Sequence, residues 1–308
     1  MPKTLVIWNP IAGNGTAKQL WSSIESAMRA GGLVFDVAQT QAPLHAVRLA
    51  ERAKRDGYEM IVAVGGDGIV HEIVNGMMRA SNGEPSGTLG VIPVGSGNDF
   101  AKMVNLQAHD WQTAVQRIIA GNTVSFDVGK VIGDVPAPGI DSGTRYFANS
   151  FDTGFGAQVS KHTHMKLLTG TPMYLVAIFK TLVNYQIPRL HIEFADGKIL
   201  EQTSTIMAVM IGRCFGSGFW IAPTAQVDDG VFDVYIADGL GRIGILGFLP
   251  RVMKGTHVGD PRIKNLQSSR VIITSPDPLA VEVDGEVPFL KAHRLEVEIL
   301  PKRMQVIA

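Results

Sequence analysis

Residues 60–76, MIVAVGGDGIVHEIVNG, decide the fold of this chain. Met60 to Val64 is a short apolar run, Gly65-Gly66-Asp67-Gly68 interrupts it, and Ile69 to Arg79 resumes with helical spacing. A buried strand, a glycine turn and a helix, in that order, make half of a βαβ unit. The same rhythm continues on both sides. TLVIWN (4–9) reads as strand, Thr16 to Arg29 as helix, LVFDVAQT (33–40) as strand and Leu44 to Asp56 as helix. Thr88 to Pro93 is a fourth strand, with helical segments after it to about Ala120. Strands alternating with helices predict an α/β domain with a parallel sheet over residues 1–127.

Past residue 127 the period shortens. In RLEVEIL (294–300), Leu295, Val297 and Ile299 alternate with charged residues, and RLHIEF (189–194) sets Leu190, Ile192 and Phe194 on one face. VFDVYI (231–236) and SRVIIT (269–274) are further short strands, with Asp196-Gly197 and Asp229-Gly230 as turns. Period-2 segments predict antiparallel sheet with one buried face. Residues 128–308 are therefore expected to form an all-β, antiparallel, sandwich-like domain. It would carry two helical insertions, at about 172–186 and 242–253, with the extreme C-terminus packing back on the first domain. GDVPAPGIDSG (133–143) reads as a surface loop from its Gly and Pro content.

A length of 308 residues fits two domains, and 45% hydrophobic against 18% charged residues supplies real cores. Lys+Arg 28 balances Asp+Glu 28, so no global positive field exists to hold a nucleic acid. The single cysteine, Cys214, excludes an intramolecular disulfide framework, points to a reducing compartment and reads as structural. MPKTLVIWNP has no secretory h-region and no 18-residue apolar run occurs, so a cytoplasmic chain without a transmembrane segment is expected. The composition departs from average at glycine, 34 of 308 residues, against a usual ~7%.

Seven of those glycines end predicted strands. The first strand runs into Asn9-Pro10-Ile11-Ala12-Gly13-Asn14-Gly15, the third into Gly65-Gly66-Asp67-Gly68, and the fourth into Gly95-Ser96-Gly97-Asn98-Asp99. In a parallel sheet these ends share the edge at which open α/β folds bind ligands. Without Cβ atoms, backbone N–H groups approach phosphate oxygens closely, and each loop opens a helix whose N-terminus favours an anion. Two of the loops carry a carboxylate, Asp67 and Asp99. Asp67 is placed to bind Mg²⁺ or orient a hydroxyl, with capping of a helix starting near Ile69 as the plain alternative. No GxxxxGK[ST] is present and no GxGxxG follows the first strand, so neither a Walker-type loop nor a dinucleotide dehydrogenase fits.

NPIAGNG, VAVGGDGIVHEIVNG and LGVIPVGSGNDFAK resemble the three nucleotide-binding motifs of diacylglycerol-kinase-type lipid kinases, most closely the soluble bacterial members. FANSFDTGFGAQV (147–159), APTAQVDDGVFDV (222–234) and VEVDGE (281–286) resemble the family's C-terminal motifs in the expected order. The resemblance implies a phosphofructokinase/NAD-kinase-like first domain that binds ATP through Asn9, Gly13, Thr40, Ser96 and the run Gly65 to Glu72, which includes Gly66, Asp67 and Gly68. Asn98 and Asp99 fall in the third motif. Ile69 stands where the family usually has Thr, which removes one hydroxyl near the phosphates.

The resemblance also places Asp284 and Glu286 at the active site, one of them as catalytic base. It puts Mg²⁺ away from the ATP phosphates, on the Asp229 carboxylate and carbonyls near Gln226 and Val231. Hard oxygen donors suit that ion. A hairpin at Asp284-Gly285 and a plain turn at Asp229 are the alternatives.

MYLVAIFKTLVNYQI (173–187) and IGILGFLPRVM (243–253) are apolar on more than one face. They would line an acyl-chain groove or touch the bilayer surface peripherally, with core packing or a homodimer contact as equal alternatives. His162 and His164 have a spacing that does not share a helix face, so a metal site there is not expected. The expected function is ATP-dependent transfer of the γ-phosphoryl group to a lipid alcohol, diacylglycerol first, giving phosphatidic acid. The alternatives are a NAD-kinase-like enzyme, which shares GGDG, and a catalytically idle nucleotide- or lipid-binding regulator.

Overall fold

The computed structural model describes residues 2–137, 143–163 and 170–308. The chain forms two compact units, residues 1–128 with 302–308, and residues 129–301. Part of the 133–143 loop, and His164, lie outside the described residues.

The first unit contains β1 (Thr4–Trp8), α1 (Thr16–Ala30), β2 (Phe35–Gln39), α2 (His45–Arg55), β3 (Met60–Gly65), α3 (Asp67–Ala80), β4 (Thr88–Pro93), α4 (Asp99–Met103) and α5 (Trp111–Ala120). β5 (Thr123–Gly133) leads into the second unit. β1 pairs with β2 and β3, and β3 with β4, all in parallel register. Every residue of β1 and β3 is buried, which is why they read as unbroken apolar runs rather than alternating ones. The last residues of the chain return to this unit, where Gln305 and Val306 pair in parallel with Thr88 and Leu89.

The second unit contains β6 (Thr144–Phe147), β7 (Ser150–Gly154), α6 (Phe155–Ser160), α7 (Gly170–Asn184), β8 (Arg189–Phe194), β9 (Ile199–Met210), β10 (Phe232–Asp238), α8 (Arg242–Met253), β11 (Ile263–Ser268), β12 (Arg270–Val283) and β13 (Glu286–Ile307). Its pairings of known register are antiparallel, running β11-β10-β9-β7-β12 with β8 bridging β9 and β12. Met207, Val209, Val234 and Ile236 point into one core with Phe147, Phe151, Phe232 and Phe289. Their neighbours Ala208, Met210, Tyr235 and Ala237 point the other way, into a second core closed by α6, α7 and α8. The two apolar helices therefore cover the outer face of β9 and β10, so core packing takes up much of their apolar surface.

Several boundaries differ from the sequence reading. α3 begins at Asp67, two residues before Ile69, with an extended Gly66 as its N-cap. β12 and β13 are far longer than SRVIIT and RLEVEIL, since β12 runs through Ser275-Pro276-Asp277-Pro278, prolines that mark a break in a sequence. The register shifts between Thr274 and Leu279 and again before Val283, and these irregularities accommodate residues without a ladder N–H. Among the described residues, no helix is long and apolar enough to cross a membrane.

Candidate active site

The register that pairs Trp8 with Val64 and Gly65 with Pro93 brings the ends of β1, β3 and β4 to one edge of the first unit. Gly13 and Gly15 are left-handed, at φ +60° and +90°, and turn the chain from β1 into α1. The Thr16 hydroxyl donates to the Gly13 carbonyl at 2.6 Å, closing that turn. Asn9 Oδ1 accepts the Ile11 N–H at 3.1 Å. The second and third loops touch backbone to backbone. A Cβ on Gly95 would collide with Gly66, and one on Gly66 would sit 3.0 Å from the Gly95 Cα.

Asn98, left-handed and buried, braces the third loop by accepting the Gly95 N–H at 3.0 Å and donating to the Gly95 carbonyl at 2.7 Å. Ser96 is exposed beside it. Thr40 follows β2 on the same edge, buried, with its N–H on the Trp8 carbonyl at 2.9 Å. The N-termini of α1 and α3 present amides that such an edge offers to an anion.

Carboxylates here hold backbone. Asp67 is the first residue of α3 rather than its cap, and its Oδ1 accepts the Phe100 N–H at 3.0 Å, tying the GGDG loop to α4. Asp99 is buried and pairs with Lys102 at 2.5 Å. Glu72, expected near the nucleotide, caps α2 instead. Its two oxygens accept the N–H groups of Leu44 and Ala46, each at 2.9 Å. Ile69 is buried and packs over Gly65, so the residue in the family's Thr position fills space that a Gly65 Cβ would need.

In the second unit, Asp284 and Gly285 form a two-residue hairpin loop between the paired Val283 and Glu286, at φ +49° and +91°. The Asp284 carboxylate is turned onto backbone. Oδ1 accepts the N–H groups of Asn149 and Ser150 at 3.0 and 2.9 Å, and Oδ2 that of Ala148 at 3.0 Å. Glu286 is exposed at the start of β13.

Two residues inside quoted motifs escaped the sequence reading. Asp152 and Glu282 pair across β7 and β12, fully buried. Burial pushes Asp152 up to about 7 and, with the Asp152 charge beside it, holds Glu282 well above the ordinary carboxylate range. The available signal was a charged residue between Val281 and Val283 on a strand buried on both faces.

Asp229 is exposed in the turn before β10, and its Oδ1 accepts the Val231 N–H at 3.2 Å. Gln226 is exposed in the same loop. One carboxylate with main-chain carbonyls is an all-oxygen donor set, whose chemistry fits Mg²⁺ completed by water. Among the described residues, no three His, Cys, Asp or Glu side chains cluster as a metal shell. Cys214 is buried, and its carbonyl accepts from Asn149 Nδ2 at 3.0 Å.

Between α6, α7, α8 and the sheet lies a cavity of about 130 Å³, lined by residues such as Phe155, Ile178, Phe219, Tyr235, Phe248 and Leu249. Arg242 Nη2 donates to the Val183 carbonyl at 2.7 Å and links the end of α7 to the start of α8. Near that link Phe179, Val183 and Ile243 are 57%, 62% and 87% exposed, an apolar surface beside the cavity helices.

Residues 3–131 match the family model of the diacylglycerol kinase catalytic domain. Residues 149–308 match that of the YegS C-terminal NAD kinase beta sandwich-like domain. A diacylglycerol kinase of Bacillus subtilis (strain 168) is 26% identical over 310 residues, covering 98% of this chain and 97% of its own. One of Staphylococcus aureus (strain bovine RF122 / ET3-1) is 28% identical over 283 residues, covering 91% and 85%. A crystal structure of a diacylglycerol kinase from Bacillus anthracis str. Sterne overlays with a TM-score of 0.74 at 20% identity, over 99% of this chain and 96% of that one. Likeness at that identity speaks for the fold.

Proposed function

We propose that this chain, which belongs to the diacylglycerol kinase-type lipid kinase family, transfers the γ-phosphoryl group of ATP to a lipid hydroxyl, with diacylglycerol as acceptor and phosphatidic acid as product. The observation that carries the reading is the edge of the first unit, where two glycine loops meet at van der Waals distance and a third turns on left-handed glycines. Such an edge binds phosphate through amides and needs no net positive charge. Asn9, Gly13, Thr40, Gly65, Gly66, Gly68 and Ser96 would form the nucleotide site. Asn98 and Asp67 hold it in shape.

Phosphoryl transfer asks the protein mainly for alignment and charge neutralisation. Glu286, exposed where Asp284 is spent on three amides, takes the proton of the attacking hydroxyl. The Asp67 carboxylate would act on the phosphates through its charge. Mg²⁺, when bound, neutralises phosphate charge, and the Asp229 carboxylate with the Gln226 and Val231 carbonyls would hold a further ion. The acyl chain would enter the apolar cavity from the surface around Phe179 and Ile243, and the enzyme would then work at the face of a membrane. The test is a panel of lipid alcohols, with NAD alongside, incubated with labelled ATP and Mg²⁺ and read by mass spectrometry. A phosphorylated lipid is expected; phosphorylated NAD without lipid product would overturn the reading.

A further inference from the structure

Asp152 and Glu282 have no role in the reaction just described, yet they are 0% and 1% exposed and face each other across an antiparallel pair. Buried carboxyls without cations are costly, so their presence asks what they hold. Each has one oxygen on a backbone amide. Asp152 Oδ1 accepts the Ala157 N–H at 2.7 Å, in the first turn of α6. Glu282 Oε1 accepts the N–H of Gly285, in the turn that presents Glu286.

The remaining oxygens, Asp152 Oδ2 and Glu282 Oε2, are buried and find no donor among the described residues. Directly opposite each other on one face of an antiparallel pair, the two side chains are brought within reach of one another, and two acceptor-only groups can satisfy those oxygens only around a proton. Gly156 leaves the room for this, because a Cβ there would lie 2.7 Å from both Asp152 oxygens. The titratable groups that act on the pair are Asp284, whose charge acts on Glu282, and Tyr185, whose hydroxyl donates to the Thr205 carbonyl at 2.6 Å.

The same turn is tied twice. Asp284 grips the amides of 148–150 at the head of β7, and Glu282 grips the Gly285 amide while resting on Asp152 in that same strand. We propose that Asp152 and Glu282 share one proton and act as positioning residues, fixing the Asp284-Gly285 turn and through it the reach of Glu286. This rests on Glu286 being the proton acceptor. Loss of the shared proton sets two buried carboxylates against each other and loosens the turn.

The experiment compares Glu282→Gln, Glu282→Leu and Asp152→Asn with the wild type. Gln keeps an acceptor for Gly285 and supplies the donor that the shared proton provides. It should hold kcat within about threefold and lack the fall in kcat that the proposal expects of the wild type above neutral pH. Leu removes the acceptor and should lower kcat at least about thirtyfold, with the KM for ATP within about twofold. If Leu fails to fold, Asp152→Asn decides, because it keeps the acceptor for Ala157 and replaces the shared proton with an amide donor. It too should flatten the pH profile. Independently of activity, infrared difference spectra should show a buried protonated carboxylic acid at neutral pH, absent in Glu282→Gln.

An equal loss in Gln and Leu, a wild-type pH profile in Glu282→Gln or Asp152→Asn, or no acid band in the wild type would overturn the proposal. Full activity in Glu286→Gln would instead overturn the acceptor reading beneath it, and the acid band would still report on the pair.

Discussion

The two units put their functional chemistry in different parts of the residue. At the edge of the first, backbone is the working surface and side chains are braces. Asp67, Asn98 and Glu72 each hold amides in place so that glycine loops keep their shape. At the β12–β13 turn of the second, one exposed side chain, Glu286, is presented by a scaffold of carboxyls, with Asp284 on three amides and Glu282 on a fourth. A site made of backbone tolerates change in side chains and fails when a Cβ is added. A site made of one side chain fails when that group changes by a single atom pair.

The sharpest division is expected at Glu286. Glu286→Gln keeps size and loses the proton acceptor, so kcat should fall by about 10³-fold while ATP affinity and thermal stability hold. Residual activity within tenfold of wild type would show that the acceptor lies elsewhere. The matching change in the first unit is Gly95→Ala, whose methyl collides with Gly66 and pushes the two loops apart. ATP affinity should fall about 10²-fold, with stability lower by ~1–3 kcal/mol from the overpacking. Calorimetric titration with ATP measures the first and denaturant unfolding the second. Unchanged affinity would remove the loop contact from the nucleotide site. Asp67→Asn is expected to match the second in size, because an amide oxygen still accepts the Phe100 N–H while the negative charge is removed. A fall in kcat of about 10²-fold with an unchanged fold is expected, read by steady-state kinetics beside circular dichroism.

The same contrast governs how much a single sequence reveals. Glycine after strand is a local pattern, so the three loops, the order of β1 to β4 and the helix Arg242–Met253 could be read from residues 4 to 99 and 242 to 253 alone. The sequence shows Glu72 only as contiguous with GGDG, whereas its partners Leu44 and Ala46 come from another element. The Asp152–Glu282 pair lies in two quoted motifs, yet it exists only through the register of β7 on β12, which no local period encodes. The prolines of 275–278 hid the length of β12 for a similar reason. The tolerance of that strand for missing N–H groups depends on bulges set by its neighbours.

At the turn itself, Asp284→Gly separates the clamp from the backbone. Glycine accepts the left-handed φ without strain, so the loss beyond the ~0.5–1 kcal/mol of added chain entropy reports the carboxylate. With three amides of 148–150 released, stability should fall by about 3 kcal/mol, since hydrogen bonds to a charged group contribute ~1.5–3 kcal/mol each and water recovers part of that. Equilibrium unfolding in urea measures it, and a change below about 0.5 kcal/mol would show that the three contacts add nothing.

The smallest expected effect tests the first unit's braces. Glu72 has both oxygens on the N-terminal amides of α2, which starts after a left-handed Leu44 with no side-chain cap of its own. Glu72→Gln leaves one acceptor oxygen and removes the negative charge that the helix start favours, a loss of about 1 kcal/mol. Because the carboxylate is occupied by α2, the KM for ATP should stay within twofold. A rise in KM of tenfold or more at unchanged stability would return Glu72 to the nucleotide and show that side chains, and not amides alone, bind at that edge.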